Sequence, residues 1–175
     1  MYLRKLEKKD AMAMLEWMHD ADINQYFMAD FNSYDIERVE RFIENEDSKD
    51  EVHYACVNEE DEYLGTVSLK HIDYVDQNAE YAISFGKKAH GTGAAQYATS
   101  EVLRIAFDEL KLERVYLNVL SENIRANRFY EKVGFIYEGE FKRHINIRGE
   151  LKDLKWYRML KEEWKGHIKW ENKIF

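Results

Sequence analysis

The spacing of apolar residues changes along this chain, and that change restricts the folds open to it. Before about Ile43 they recur every three or four residues, which is typical of amphipathic helices. From Val52 onwards they alternate with polar residues, which indicates strands. A helical pattern returns at 94–110 and again, briefly, at 127–133, where Gly134 is a typical helix end.

These patterns together predict an α+β fold. Strands are expected at 2–5, 52–58, 63–69, 78–85, 114–119, 135–141 and 154–160. The first helix follows Asp10, and the second begins near Ile36 after Ser33 or Asp35. This order gives one mixed, mostly antiparallel sheet with helices on its faces. At 175 residues the chain suits one domain, predicted as 1–164, followed by a C-terminal tail at 165–175.

Composition argues against several classes of protein. The net charge of -8 disfavours nonspecific nucleic-acid binding, which uses clustered Lys and Arg. That charge suits a cationic amine substrate, and solubility explains it equally well. We expect no membrane span, since no run of about 18 apolar residues exists.

The single cysteine, Cys56, and the lack of an apolar leader at the N-terminus favour a reducing cytoplasm. The six histidines lack ligand spacing, so no metal is expected.

A glycine-bearing segment, Lys88-Ala-His-Gly91-Thr-Gly93, lies between a predicted strand and a predicted helix. Glycines let the backbone turn tightly, and a helix start offers free amides and a positive dipole end. The segment therefore either binds a phosphate or pyrophosphate or is an ordinary connection. It is not a Walker A loop, because Ala94-Ala95 follow the last glycine. It is not a dinucleotide fingerprint either, because Gln96 stands where glycine is needed.

Two blocks of residues resemble one family. Lys88-x-x-Gly91-x-Gly93 is similar to the R/Q-x-x-G-x-G/A segment of the GNAT acetyltransferases, with Lys88 in place of Arg or Gln. The segment from Asn123 to Phe135 resembles their N-x-x-A-x-x-x-Y-E-K-x-G-F block. Both blocks stand in the right order and at the right separation. The nearest branch is that of the ribosomal-protein and spermidine acetyltransferases.

The resemblance implies a V-shaped splay between the fourth and fifth strands, in which acetyl-CoA lies. Main-chain groups of Ile83, Ser84 and Phe85 are then expected to pair with the pantetheine, as an added strand would. The pyrophosphate is expected on the amides from Gly91 to Ala95. The full set of implied cofactor contacts is Ile83, Ser84, Phe85, Lys88, Gly91, Thr92, Gly93, Ala94, Ala95, Asn123, Ala126 and Tyr130.

Acetyl transfer to an amine requires that a proton be removed first, because a free alkyl amine has a pKa of about 10. Glu80, on the strand that leads to the loop, is our candidate base; alternatively it only binds a cationic substrate. Tyr130 occupies the family's tyrosine position and is expected to protonate or hydrogen-bond the CoA sulfur, unless it is only a core aromatic. His90 is expected to serve the turn or the cofactor.

Acceptor pockets in this superfamily are built largely from the loop between the first two helices and from the last hairpin. The substrate contacts predicted here are Trp17, Tyr26, Phe27 and Phe31, together with Glu80. The sequence around Trp17 resembles enzymes that acetylate nucleotide-linked amino sugars. Protein or peptide amines, a polyamine, and a non-catalytic acyl-CoA-binding module remain alternatives. A small-molecule or peptide amine is the expected partner, and a homodimer is left open.

Overall fold

The computed structural model describes residues 1–45 and 48–166, so most of the predicted tail at 165–175 lies outside the described residues. Within these ranges the strands form one seven-stranded sheet in the order β1-β2-β3-β4-β5-β7-β6. The strands are β1 Tyr2–Lys5, β2 Val52–Val57, β3 Tyr63–Asp73, β4 Asn78–Phe85, β5 Arg114–Leu120, β6 Ile136–Ile147 and β7 Glu150–Leu160. The α-helices are α1 Ala11–Met18, α2 Ala21–Asn24, α3 Ile36–Glu44, α4 Ala94–Arg104 and α5 Ile124–Lys132.

The sheet is mixed and splayed, as predicted. Neighbouring strands run antiparallel except β4 and β5, which are parallel. Their pairing covers only Asn78–Glu80 of β4 against Arg114–Tyr116 of β5. Beyond Glu80, β4 continues to Phe85 paired with β3 alone. The two parallel strands thus separate towards their C-terminal ends and leave a V-shaped opening.

Helices cover both faces of the sheet. Cys56 lies in the core that β2, β3 and β4 form with α4 and α5. Its neighbours Ala55 and Val57 lie in a second core with α1 and α3. Since successive strand residues point to opposite faces, the two cores are on opposite sides of the sheet.

Helix caps explain where the helices begin. Asp35 caps α3, since its Oδ1 accepts from the Arg38 amide at 2.8 Å. Asn123 caps α5 in the same way, and α5 therefore starts three residues before the predicted Asn127. Asp10 precedes α1 as predicted, but its carboxylate forms no cap hydrogen bond there.

The long helix and the last hairpin differ most from prediction. α4 ends at Arg104 and continues as a π-helical turn through Ile105–Glu109. β6 and β7 extend well beyond the predicted strands and form a long hairpin. Within the described residues, no helix is long and apolar enough to span a membrane. No three His, Cys, Asp or Glu side chains there converge as metal ligands.

Candidate active site

One edge of β4 is available beside the splay. Ile83, Ser84 and Phe85 pair with β3 on one side, whereas the pairing of β4 with β5 ends at Glu80. The three residues are half-buried. A strand edge of this kind can take an extended ligand by main-chain hydrogen bonds, so it fits pantetheine.

Gly65 on β3 supports this edge, and sequence reasoning missed it. A β-carbon at Gly65 would lie 2.4 Å from Cγ of Phe85, its partner across the two strands. The Phe85 ring therefore occupies the place of a side chain on Gly65. The available signal was a glycine inside a strand pattern, which often marks such a close approach.

The loop before α4 has the geometry of an anion site. Gly91 and Gly93 have φ of 77° and 81°, the left-handed region that favours glycine. Thr92 Oγ1 donates to the Ala89 carbonyl at 2.8 Å and accepts from the Ala94 amide at 3.2 Å. The next amides, of Ala95 and Gln96, have no partner within the helix. With the helix dipole, they can bind a phosphate group.

Basic side chains surround this loop. Lys88 Nζ lies 3.0 Å from Glu16 Oε2 of α1, and both side chains are exposed. A surface pair of this kind contributes little to stability, so Lys88 can exchange Glu16 for a phosphate at small cost. Burial first, and then the charges of Arg125 and Lys87, lower the pKa of His90. Arg125, near the start of α5, is thus a second cation beside the loop, and sequence reasoning did not find it.

The start of α5 faces the same opening. Asn123 Oδ1 accepts from the Ala126 backbone amide at 3.1 Å, so the side-chain oxygen of Asn123 is already used by the helix. The side-chain nitrogen, Nδ2, is the group that Asn123 can offer to a ligand. The buried Asn127 links α5 to the sheet, since it donates to the Leu120 carbonyl at 3.0 Å and accepts from the Tyr157 hydroxyl at 2.8 Å.

Tyr130 is buried on the α4–α5 face of the sheet. Its ring packs edge-on against Tyr81 of β4, with centroids 6.1 Å apart, and against Phe129 and Phe135. Burial raises the pKa of Tyr130 above its ordinary value. The phenol therefore stays protonated at neutral pH and can donate a hydrogen bond.

Glu80 lies on the opposite face, because it precedes Tyr81 on β4. The Asn118 side chain of β5 donates to Glu80 Oε1 at 3.1 Å. His71 Nε2 is 3.7 Å from Glu80 Oε2. Glu80 and Tyr130 thus flank the place where β4 and β5 separate, one from each side of the sheet. Asn118 was not among the sequence candidates.

Three of the four predicted aromatic contacts come together. The Trp17 ring lies 5.8 Å from Phe27 and 5.4 Å from Phe31, measured between centroids. The buried Trp17 also donates from Nε1 to the Tyr63 hydroxyl at 3.2 Å. Tyr26 is exposed and is not among the ring pairs of this cluster. Part of the predicted wall is therefore core packing between α1 and the following loop.

The last hairpin reaches the same loop. Arg148, in the turn between β6 and β7, points its guanidinium at the carbonyls of Asn24 and Gln25, at 3.4 and 3.5 Å. Those carbonyls belong to the end of α2. The hairpin and the α1–α3 loop therefore meet on the Glu80 face, and the acceptor pocket there stays a prediction.

Comparison with known proteins identifies the family. The acetyltransferase (GNAT) domain family matches residues 1–136. Spermidine N(1)-acetyltransferase of Escherichia coli is 31% identical over 157 residues, covering 86% of this chain and 81% of that protein. A putative ribosomal N-acetyltransferase of Bacillus subtilis is 32% identical over 102 residues, 58% of this chain and 56% of the relative.

A solved structure is similar over nearly the whole fold. Spermidine N-acetyltransferase from Vibrio cholerae, in complex with CoA and spermine, superimposes with a TM-score of 0.83 at 25% identity. The match covers 93% of this chain and 96% of that one. The chain therefore belongs to the GNAT acetyltransferase family and is an N-acetyltransferase that uses acetyl-CoA.

Proposed function

We propose that this chain transfers the acetyl group of acetyl-CoA to the primary amine of a nucleotide-linked amino sugar. The choice of acceptor rests on the ion pairs that the acidic residues of the α1–α3 loop form with a lysine of the chain. Lys87 Nζ lies 2.8 Å from Asp20 Oδ2 and 2.7 Å from Asp22 Oδ2. A polyamine would have to displace Lys87 from these carboxylates, and with Lys87 in place the pair keeps only one of its two negative charges.

The described residues fit the cofactor. Acetyl-CoA supplies an acetyl thioester when bound. The free edge of Ile83–Phe85 suits the pantetheine, and the amides from Gly91 to Ala95 suit the diphosphate. Lys88 adds a cation, and the amide nitrogen of Asn123 and the half-buried Ala126 line the other side of the opening.

Glu80 serves as the base in this proposal. An amine at neutral pH is mostly ammonium, so its proton must leave before the nitrogen can attack. Asn118 fixes Oε1 of Glu80 by its hydrogen bond. Oε2 lies 3.7 Å from His71 Nε2 and is the oxygen that receives the proton, directly or through a water. A carboxylate held in one orientation also places the amine at the opening between β4 and β5.

Tyr130 acts from the other face. Because burial raises its pKa, its phenol is a weaker acid than a thiol, whose ordinary pKa is about 8.5. Tyr130 therefore stabilises the departing sulfur by donating a hydrogen bond to it while keeping its own proton, and the sulfur leaves as the CoA thiolate. The amine and the sulfur thus meet the sheet from opposite sides.

A polyamine acceptor is the second candidate, and the names of the relatives favour it. The E. coli relative is a spermidine acetyltransferase, and the V. cholerae structure holds spermine with CoA. Protein or peptide amines and a non-catalytic module remain less supported. The cytoplasmic location, the 1–164 domain boundary and a homodimer stay predictions.

A CoA-release assay tests the proposal. The panel contains UDP- and dTDP-linked amino sugars, spermidine and a peptide with a free N-terminus. We expect kcat/KM for an amino sugar to exceed that for spermidine by at least about tenfold, which is about 1.4 kcal/mol of discrimination. A preference for spermidine would overturn the choice of acceptor. CoA binding without turnover of any amine would indicate a non-catalytic module.

A further inference from the structure

A row of side chains leads away from Glu80 across the sheet. Asn118 of β5, which donates to Glu80, is paired with Trp156 of β7. Paired residues on neighbouring antiparallel strands point to the same face. Glu80 is in register with Tyr116, two residues before Asn118 on β5. Glu80, Asn118 and Trp156 therefore lie on the same face of three neighbouring strands, the acceptor face.

Aromatic rings surround Trp156 on that face. Its ring lies 6.2 Å from Tyr116, 5.4 Å from Phe141 and 6.5 Å from His144, measured between centroids. These four residues, which we call the aromatic platform, extend from the site of Glu80 to the β6–β7 hairpin. Phe141 is 50% exposed, so the platform presents ring surface that residues 1–45 and 48–166 do not cover.

The platform also contains an unused donor. The indole N–H of Trp156 is buried and has no acceptor in the part of the chain that the structure describes. Buried donors are nearly always paired, so one without a partner requires an explanation. A hydroxyl oxygen of a ligand would supply the acceptor once the neighbouring rings of Phe141 or His144 move aside.

Charges beside the platform disfavour a polycation. Glu138 lies 3.0 Å from Arg114 Nη1 and 3.4 Å from Arg158 Nε. This carboxylate is thus matched by two cations of the chain. A linear polyamine can place its cations on these rings, but protonated amines offer no acceptor to the Trp156 N–H. A sugar ring with one apolar face and several hydroxyls can both stack and accept that hydrogen bond.

We infer that the aromatic platform is the subsite for the pyranose ring of the acceptor, and that it holds the sugar with its amine at Glu80. The inference rests on the proposed function and deepens it. It adds Tyr116, Phe141, His144 and Trp156 as specificity-determining residues, which no sequence motif indicated. Free and nucleotide-linked amino sugars share the pyranose, so both belong in the test.

The test compares Trp156→Leu and Trp156→Phe with the wild-type protein. D-glucosamine and UDP- and dTDP-linked amino sugars serve as acceptors, and calorimetry in the presence of CoA measures their binding independently of turnover. We expect Trp156→Leu to raise the acceptor KM at least about tenfold, equivalent to 1.4 kcal/mol. Trp156→Phe should have a smaller effect, and the KM for acetyl-CoA should not change. Leu151→Ser, at an exposed apolar residue of the same hairpin outside the platform, is the matched control and should behave as wild type.

The outcomes separate this inference from the proposed function. If wild type acetylates an amino sugar and a folded Trp156→Leu variant keeps the same acceptor KM, the platform is not the subsite. If Trp156→Leu or Phe141→Ser instead changes the sedimenting mass at constant KM, the face is an interface between copies and the inference is wrong. If wild type neither binds nor acetylates any of the sugars, both proposals are wrong.

Discussion

Asn118 and Glu80 are joined by a hydrogen bond of 3.1 Å across β4 and β5, at the point where the two strands separate. The bond joins the candidate base to the strand on the far side of the opening. It therefore fixes both the orientation of the carboxylate and its position relative to a ligand in the splay. A base that is free to rotate would spend part of its time turned away from the amine.

We expect Asn118→Leu to lower kcat, because Oε1 of Glu80 loses its only fixed donor on β5. A fall of about tenfold is expected, against about 10² to 10³ for Glu80→Gln, which removes the base itself. Affinity for CoA, measured by calorimetry, should be unchanged in both variants. If Asn118→Leu matched wild type in kcat, Asn118 would have no role in positioning Glu80.

Gly65→Ala should weaken both the fold and cofactor binding. The new β-carbon would overlap the Phe85 ring, which must shift together with the edge of β4. Such overpacking costs about 1–3 kcal/mol of unfolding free energy. Urea denaturation and the KM for acetyl-CoA measure the two effects. Gly139→Ala is the control, since a β-carbon there meets nothing within 4 Å and no positive φ is involved. If the two variants had the same unfolding free energy and the same KM for acetyl-CoA, Gly65 would not support the β4 edge.

Local signals were sufficient for much of this fold. β4 was predicted with both of its ends, and the two glycines before α4 have the positive φ that their type suggests. The helices α1 and α3 and the strands of the first half were also found, because apolar periodicity and turn residues act over a few neighbours. The short α2 was not predicted and lies in what was expected to be a loop.

Tertiary pairing accounts for what sequence reasoning missed. β6 and β7 are held by each other through a stretch with exposed charged residues, where no apolar alternation indicates a strand. The Asn118–Glu80 bond joins residues 38 apart and exists only because β5 lies beside β4. The capping Asn123 lies four residues before Asn127, where the helix was predicted to begin, and its role follows from the turn in which it sits.

Arg4→Ala should destabilise the protein strongly. Both terminal nitrogens of Arg4 donate to the carboxylate of Asp10, at 2.7 and 2.8 Å, and Asp10 is only 2% exposed. Loss of Arg4 leaves the buried Asp10 carboxylate with the Glu7 amide, at 2.8 Å, but without this cation, and breaking a buried pair in this way costs about 3–5 kcal/mol. Lys8→Ala, at an exposed lysine, should change the unfolding free energy by less than about 0.5 kcal/mol. Similar chemical denaturation midpoints for the two variants would show that the Asp10 pair is unimportant.

His53 should make the fold sensitive to acid. Its imidazole lies 2.7 Å from Ser68 Oγ and 3.2 Å from Glu51 Oε2, and burial lowers its pKa although Glu51 opposes the shift. Below about pH 6.5 the unfolded chain therefore binds a proton that the folded chain does not. The unfolding free energy should fall as the pH decreases through this window. Between pH 7.5 and 5.5, the His53→Gln variant should lose less unfolding free energy than the control variant His71→Gln, which removes an exposed histidine. Equal losses of unfolding free energy in the two variants would exclude His53 as the cause.

Tyr130→Phe tests the proposed donor with the least change of shape. The ring contacts with Tyr81, Phe129 and Phe135 do not need the hydroxyl, so the melting temperature should stay close to that of wild type. Without the hydrogen bond to the departing sulfur, kcat should fall by about 10² or more, while the KM for acetyl-CoA changes little. Because the raised pKa keeps the phenol protonated, deprotonation of Tyr130 should not lower the activity of the wild-type enzyme as the pH rises to about 10. A folded Tyr130→Phe variant with wild-type kcat would assign this residue to the core alone.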